Sequence, residues 1–168
     1  MNVWSEKNKV VNVLIPVTDA FAANKTTDVI NMENYKRCTF LVVTGASSAD
    51  LGKITVNAGN ANNSCSEAIV FKYRTQVAGT AGIAGAVGSD IPSALETATI
   101  SGFAMQGAKI GGIYIVEVDA QVVAAAGADY DHVSLTVTEN GTAGVDACVI
   151  AILSEPRYAQ DVLATAID

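Results

Sequence analysis

The chain has 168 residues, of which half are hydrophobic and only 16% are charged, and its formal net charge is −7. A chain of this length forms one domain and buries roughly 68–70% of its unfolded surface, so its core is stable without disulfides or a metal. The acidic balance offers no basic surface for phosphates, and no run reaches about 18 apolar residues, so we predict neither a nucleic-acid partner nor a membrane partner.

Valine, isoleucine and threonine together supply 48 residues, which favours β-strands. Apolar and polar side chains alternate with a period of two, as in half-buried strands, in residues 10–17, 53–57, 67–74, 113–118 and 132–139. Two further runs, 39–44 and 147–153, are apolar on both faces. That pattern predicts strands in the interior of a sheet.

Turn-forming residues separate these runs, for example at 57–63 and at Asn140-Gly141. Seven or eight short strands separated by such turns predict an all-β fold, either a β-sandwich or a jelly roll of about eight strands. The best helical candidates, 93–97 and 161–166, are a turn or two each. We divide the chain into an N-terminal arm (1–9), a single β-sandwich domain (10–157) and a C-terminal tail (158–168).

A glycine- and alanine-rich segment interrupts the pattern, since residues 76–112 hold eight of the fourteen glycines. Four of them follow a strict three-residue spacing: Gly79, Gly82, Gly85 and Gly88. Collagen needs proline and many more repeats, and a phosphate-binding loop needs a lysine that is missing here. We interpret the segment as a long connection, with one strand around 97–105, that is ordered by contact with a partner; plain disorder is the alternative.

The ionisable residues give little sign of chemistry. The densest cluster is Asp129, Asp131 and His132, the last being the single histidine. Within one strand, Asp131 and His132 would point to opposite faces, which argues against a shared metal or acid/base site. The three cysteines have spacings that fit neither a disulfide framework nor a metal knuckle, so we expect reduced thiols. We predict no catalytic residues, no cofactor and no bound metal, and hence no enzyme.

Three segments carry a resemblance to a known class of proteins: YDHVSLTVTE at 130–139, AILSEPRYAQ at 151–160, and EVDA at 117–120. In their order along the chain, these segments resemble small β-sandwich structural proteins of tailed-bacteriophage heads. The similarity covers residues 113–161 best and 39–75 loosely.

This resemblance implies a capsid decoration (cement) protein without catalytic residues. Such a protein would form a homo-oligomer, expected to be a trimer, and bind the major capsid protein. It would be made in the host cytoplasm and end on the capsid surface of the virion. The alternatives are a tail, neck or fibre-base protein of the same particle and, from another class, a carbohydrate-binding β-sandwich.

Several residues are candidates for the interface with a neighbouring chain. The single tryptophan, Trp4, lies in a polar arm and is either a frayed end or an anchor on a neighbour. Pro156 ends the last strand, and Arg157 and Tyr158 then either lead the tail towards a neighbour or cover the end of the sandwich. We add the four spaced glycines as candidates for the same role.

Overall fold

The computed structural model describes residues 3–21, 23–46, 52–61, 63, 65–77, 91–106, 110–138, 145–158 and 163–167. The described chain begins with a 3-10 turn at Trp4–Glu6 and continues mainly as strands. These are β1 (Lys9–Val17), β2 (Lys25–Thr26), β3 (Ile30–Asn31), β4 (Tyr35–Ala46), β5 (Lys53–Gly59), β6 (Glu67–Ala68), β7 (Phe71–Val77), β8 (Glu96–Ala98), β9 (Phe103–Ala104), β10 (Ile110–Asp119), β11 (His132–Thr138) and β12 (Ala147–Pro156). A short helix, α1 (Ala120–Ala126), separates β10 from β11.

The strands pair into two antiparallel sheets. The first sheet has the order β1–β12–β4–β10–β7–β8. The second has the order β2–β11–β5–β6, with β3 also paired to β11 and β9 to β5. The chain passes back and forth between the sheets as it does in a jelly roll. The predicted all-β sandwich is therefore confirmed.

The core lies between the two sheets because every second side chain of the long strands points inwards. The central strand β4 contributes Cys38, Phe40 and Val42, none of which is exposed. On the facing sheet, β5 and β11 contribute the fully buried residues Ile54, Val56, Val133 and Leu135. As predicted, 39–44 and 147–153 are interior strands: β4 lies between β12 and β10, and β12 lies between β1 and β4.

An aromatic cluster links the sheets next to β9. The ring of Phe103 stacks on Tyr73 with centroids 3.9 Å apart, and it also packs against Phe71 and Tyr114. The Tyr114 hydroxyl accepts a hydrogen bond from the Gln106 N–H at 3.0 Å. The strand predicted around 97–105 is thus two short strands, β8 and β9, which pair with different sheets.

Both helix predictions are wrong. Residues 93–95 have no regular structure and 96–98 form β8, because this segment pairs with the edge of β7 and the Ser93 N–H donates to the Thr75 carbonyl. Of the second candidate, 161 and 162 lie outside the described residues and 163–166 are not helical. The helix that does form, α1, was not predicted; its N-cap is Asp119, whose side chain accepts from the Gln121 N–H at 2.8 Å.

The described part of the C-terminal tail folds back onto its own domain. Ala166 is fully buried, and its carbonyl accepts a hydrogen bond from the Asn31 N–H at 2.9 Å. The Tyr35 hydroxyl donates to the Ala164 carbonyl at 2.8 Å. Of the two alternatives for the chain after Pro156, residues 163–167 do not lead out to a neighbour but pack on their own sandwich, whereas Tyr158 itself is exposed.

Candidate interaction surface

The outer face of the first sheet is apolar. On each of its central strands the side chains that alternate with the core residues point away from the second sheet. Six of these outward residues, in the middle of the sheet, are aliphatic and half-buried: Leu41, Val43, Ile113, Ile115, Ile150 and Ile152. Val10 on β1 joins them and is 53% exposed. We call these seven residues the outer apolar patch.

The strand register makes the patch continuous. Leu41 lies directly between Ile150 and Ile115, its partners on β12 and β10. Val43 pairs with Ile113 on β10 and with Cys148 on β12 in the next row. Residues paired directly across antiparallel strands have Cβ atoms about 4.5–5.5 Å apart. The patch therefore spans four neighbouring strands without a charged residue inside it.

Charged residues border the patch along two sides. On β7, Arg74 pairs with Ile115, and Lys72 pairs with Glu117. At the end of the central strands, Arg37 pairs with Asp119. Arg37 Nη2 also lies 4.0 Å from Glu155 Oε1, with both side chains about half exposed. An uncharged centre with a polar border is the usual composition of a protein–protein interface.

The structure brings Trp4 to the same end of the first sheet as Arg157 and Tyr158. Trp4 lies in the 3-10 turn and is 56% exposed, and Tyr158 is 65% exposed. Lys7 lines a shallow depression together with Ser154, Glu155 and Pro156 of β12. We call Trp4, Lys7, Arg157 and Tyr158 the aromatic end. The four glycines Gly79, Gly82, Gly85 and Gly88 lie outside the described residues.

The aspartate–histidine cluster differs from the sequence expectation. His132 Nδ1 lies 2.5 Å from Asp131 Oδ1 although the residues are adjacent. The two side chains do not point to opposite faces, because Asp131 precedes β11 and its side chain is not held by the strand pleat. Asp129 lies in a turn with a φ of +60°. Among the residues that the structure describes, no group of three or more His, Cys, Asp or Glu side chains is placed to hold a metal ion.

The described surroundings of this pair do not activate a nucleophile. All three cysteines are free thiols. Burial raises the pKa of the Cys65 thiol, a Ser134 contact lowers this pKa, and the Asp131 carboxylate raises it. The Ser134 hydroxyl itself makes no hydrogen bond of ordinary geometry within the described residues. Complete burial also raises the pKa of Cys38. A raised pKa keeps a thiol protonated and unreactive at neutral pH.

Sequence reasoning missed the outer apolar patch, although the signal was present. The runs 39–44 and 147–153 are apolar on both faces, and this was interpreted only as a sign of interior strands. Within the described ranges, no helix is long and apolar enough to cross a membrane. Comparison of the chain with protein-family models, with curated proteins and with solved structures found no match.

Proposed function

We propose that this protein is a structural subunit of a tailed-phage particle, a capsid decoration protein that forms a homo-oligomer and binds the outer surface of the head. The observation that carries the proposal is the outer apolar patch on the central strands of the first sheet. The resemblance of residues 113–161 to phage head proteins supports the choice of particle. The jelly-roll winding is compatible with it, although a fold alone does not specify a function.

Such a protein works by burying surface rather than by chemistry. Each Å² of apolar surface removed from water contributes about 25 cal/mol to association. The patch supplies aliphatic side chains on a rigid sheet, so little conformational entropy is lost when it is covered. A shell is reinforced when many such contacts tie neighbouring capsid subunits together.

The aromatic end is the surface that we assign to the capsid. Tryptophan, tyrosine and arginine are enriched among the residues that dominate binding energy. Trp4 and Tyr158 are both more than half exposed, and the basic side chains of Lys7 and Arg157 lie close to them in sequence. The chain as a whole is acidic, so these basic groups favour an acidic patch on the shell.

A binding experiment with undecorated heads tests this proposal. The full chain is mixed with heads, sedimented, and quantified by densitometry. We expect saturable binding, weakened about 10-fold or more by Trp4→Ala with Tyr158→Ala. Ile100→Ala is the matched control, because Ile100 is 59% exposed but lies in the turn before β9.

Failure of the wild-type chain to bind heads would overturn the decoration role. The copy number in intact particles separates the remaining positions. Hundreds of copies per particle indicate the head surface, whereas a small number indicates the neck or tail.

A further inference from the structure

We infer that the outer apolar patch binds the same patch on a second copy of this chain, so that two sandwiches stack through their first sheets. The inference rests on the proposed function only in that both require the protein to act by association. It names the occupant of the patch, whereas the capsid contact is assigned to the aromatic end.

The first reason is the two-faced apolar character of the central strands. A sheet with one solvated face shows aliphatic residues on alternate positions only, whereas a sheet covered on both faces is apolar throughout. At residues 40–43 of β4 and 147–153 of β12 both sets of positions are apolar, yet the second sheet covers only the inner set. The sequence of these strands therefore fits a sheet with a further layer on its outer side.

The second reason is the shape of the patch. The pairing of β12 with β4 is in unbroken register from Ala147 to Ser154, and that of β10 with β4 from Gly112 to Asp119. Regular pairing gives an evenly twisted surface over the centre of the patch, and a depression lies only at its margin, where Val43 and Cys148 meet Pro16–Thr18. Such a surface is matched by another twisted sheet, which packs about 10 Å away with interdigitating side chains.

The third reason is area. The four strands of the patch and the bordering strand β7, spaced about 4.8 Å apart with four rows of outward residues about 6.7 Å apart, give a face of roughly 600–700 Å², which includes the charged border. A standard protein–protein interface buries about 800 Å² on each partner. The outer face of the first sheet thus has nearly the size that a stable dimer needs.

The fourth reason is charge. Two chains of net charge −7 repel each other over most of their surfaces. The outer face differs, because its border carries three basic residues, Arg37, Lys72 and Arg74, which balance three acidic residues, Glu117, Asp119 and Glu155. A second copy meets no net negative charge here, and groups of opposite sign are available on both borders.

The β1 edge of the same sheet is a poorer contact for a second copy. The pairing of β1 with β12 is irregular on both sides of Leu14, and Pro16 removes a backbone donor. The Val13 carbonyl already accepts a hydrogen bond from the Asp28 N–H at 3.0 Å. Bulges and proline are the devices that prevent edge-to-edge pairing, so association through the face is favoured over association through the edge.

A patch that binds its own copy forms a two-fold contact. The expected mass is therefore twice that of the chain or an even multiple of it, which departs from the simple trimer implied by the family resemblance. Light scattering of the full chain over a range of concentrations measures this mass.

The Ile150→Glu variant tests the contact directly. It places a carboxylate beside Leu41, where two copies meet, and we expect association to weaken about 100-fold or more. Folding should survive because Ile150 already contacts water in the single chain. Circular dichroism and thermal unfolding check this. Ile100→Glu is the matched control and should associate like the wild type. If Ile150→Glu fails to fold, Val10→Glu at the margin of the patch takes its place.

A native thiol gives an independent readout. Cys148 is partly exposed and pairs with Val43 beside the patch, whereas Cys65 belongs to the other side of the molecule, next to Ser134. Maleimide labelling, followed by peptide mass spectrometry, should slow at Cys148 as protein concentration rises and stay constant at Cys65. In Ile150→Glu the Cys148 rate should no longer depend on concentration.

The outcomes separate this inference from the proposed function. A wild-type chain that stays monomeric at about 100 µM overturns the inference, as does an oligomer that persists in a folded Ile150→Glu variant. If the monomeric chain binds heads and Ile150→Glu abolishes that binding, the patch belongs to the shell protein: the inference falls and the decoration role stands. A dimer that dissociates on Ile150→Glu but never binds heads supports the inference and removes the decoration role.

Discussion

The two sheets of this sandwich have outer faces of opposite character. On the first sheet the outward residues in the middle of the central strands are aliphatic, as in the row formed by Ile150, Leu41 and Ile115. On the second sheet the outward residues of β5 and β11 are polar. His132 and Ser134 among them are buried, whereas Lys53, Thr55, Asn57, Thr136 and Thr138 are exposed or half-buried. Both sheets have the same kind of inner face, which fills the common core.

The different outer faces indicate that the two sheets need different surroundings. The second sheet needs no further cover at the end formed by Lys53, Thr55, Thr136 and Thr138, because threonine is solvated there and suits a pleated surface. Its margins are formed by two-residue strands, β2 and β3 on one side and β6 and β9 on the other. The first sheet leaves an aliphatic patch half-buried on its outer face, which is the surface that we propose a second copy covers.

The largest effect is expected from the tight margin of the second sheet, at Gly102. Its φ is +74°, and a Cβ at this position would lie 1.9 Å from the Ile54 carbonyl oxygen. Gly102→Ala should lower the free energy of unfolding by about 3 kcal/mol, because the β5 backbone has to move. Denaturant unfolding measures this loss.

Gly111→Ala is the matched control on the first sheet. Gly111 has a similar φ of +66°, but its Cβ would meet the Thr44 carbonyl oxygen at 3.3 Å. We expect a loss of about 1 kcal/mol there, mainly from the backbone conformation. Equal losses at both positions would show that the second sheet is no more tightly closed than the first.

The next largest effect on the free energy of unfolding is expected at Val42, and its neighbour Val43 on β4 allows the two faces of the first sheet to be compared. Val42 points inwards and is not exposed, whereas Val43 points outwards and is half-buried. Val42→Ala should lower the free energy of unfolding by about 2 kcal/mol, since it removes two buried carbons and leaves a cavity. Val43→Ala should cost under about 1 kcal/mol when measured on the dissociated chain.

Self-association should respond in the opposite order. Val43→Ala removes apolar surface from the patch and should raise the dissociation constant of the dimer. Val42→Ala should leave the dissociation constant of the folded chain unchanged. Analytical ultracentrifugation measures both. If Val42→Ala weakens association more than Val43→Ala does, the outer face is not the contact.

The sequence pattern predicts the fold well because alternation reports directly on burial. The clean alternation of 53–57 and 132–139 corresponds to β5 and β11. The polar face of β5 reaches water along the strand, whereas that of β11 does so only at Thr136 and Thr138. The two-faced apolar runs correspond to β4 and β12. The pattern of apolar residues shows whether one or both faces of a strand are apolar, but it does not show what covers each face. The interior positions of β4 and β12 could therefore be predicted, whereas the uncovered outer face of the first sheet could not.

Other features depend on contacts between residues distant in the chain or on local backbone geometry. The N-terminal arm meets the end of β12 only because β1 and β12 are neighbours in the sheet. The Asp131 carboxylate reaches His132 because the strand begins one residue later than Asp131. The helix α1 has alanine and valine on several sides and no charged face, so no helical period was visible. None of these features leaves a periodic pattern in the sequence.

The smallest effect is expected on the polar face of the second sheet. Thr26 Oγ1 and Thr136 Oγ1 share a hydrogen bond of 2.9 Å at an exposed position. Thr136→Val keeps the shape and should lower the free energy of unfolding by about 0.5 kcal/mol, because water replaces the lost partner. The Thr26→Val and Thr136→Val double variant should lose little more than either single variant. Light scattering should give the same mass for all of them, since an added methyl group on a solvated threonine face does not make an interface. A change of mass in Thr136→Val would mean that the second sheet, and not only the first, takes part in association.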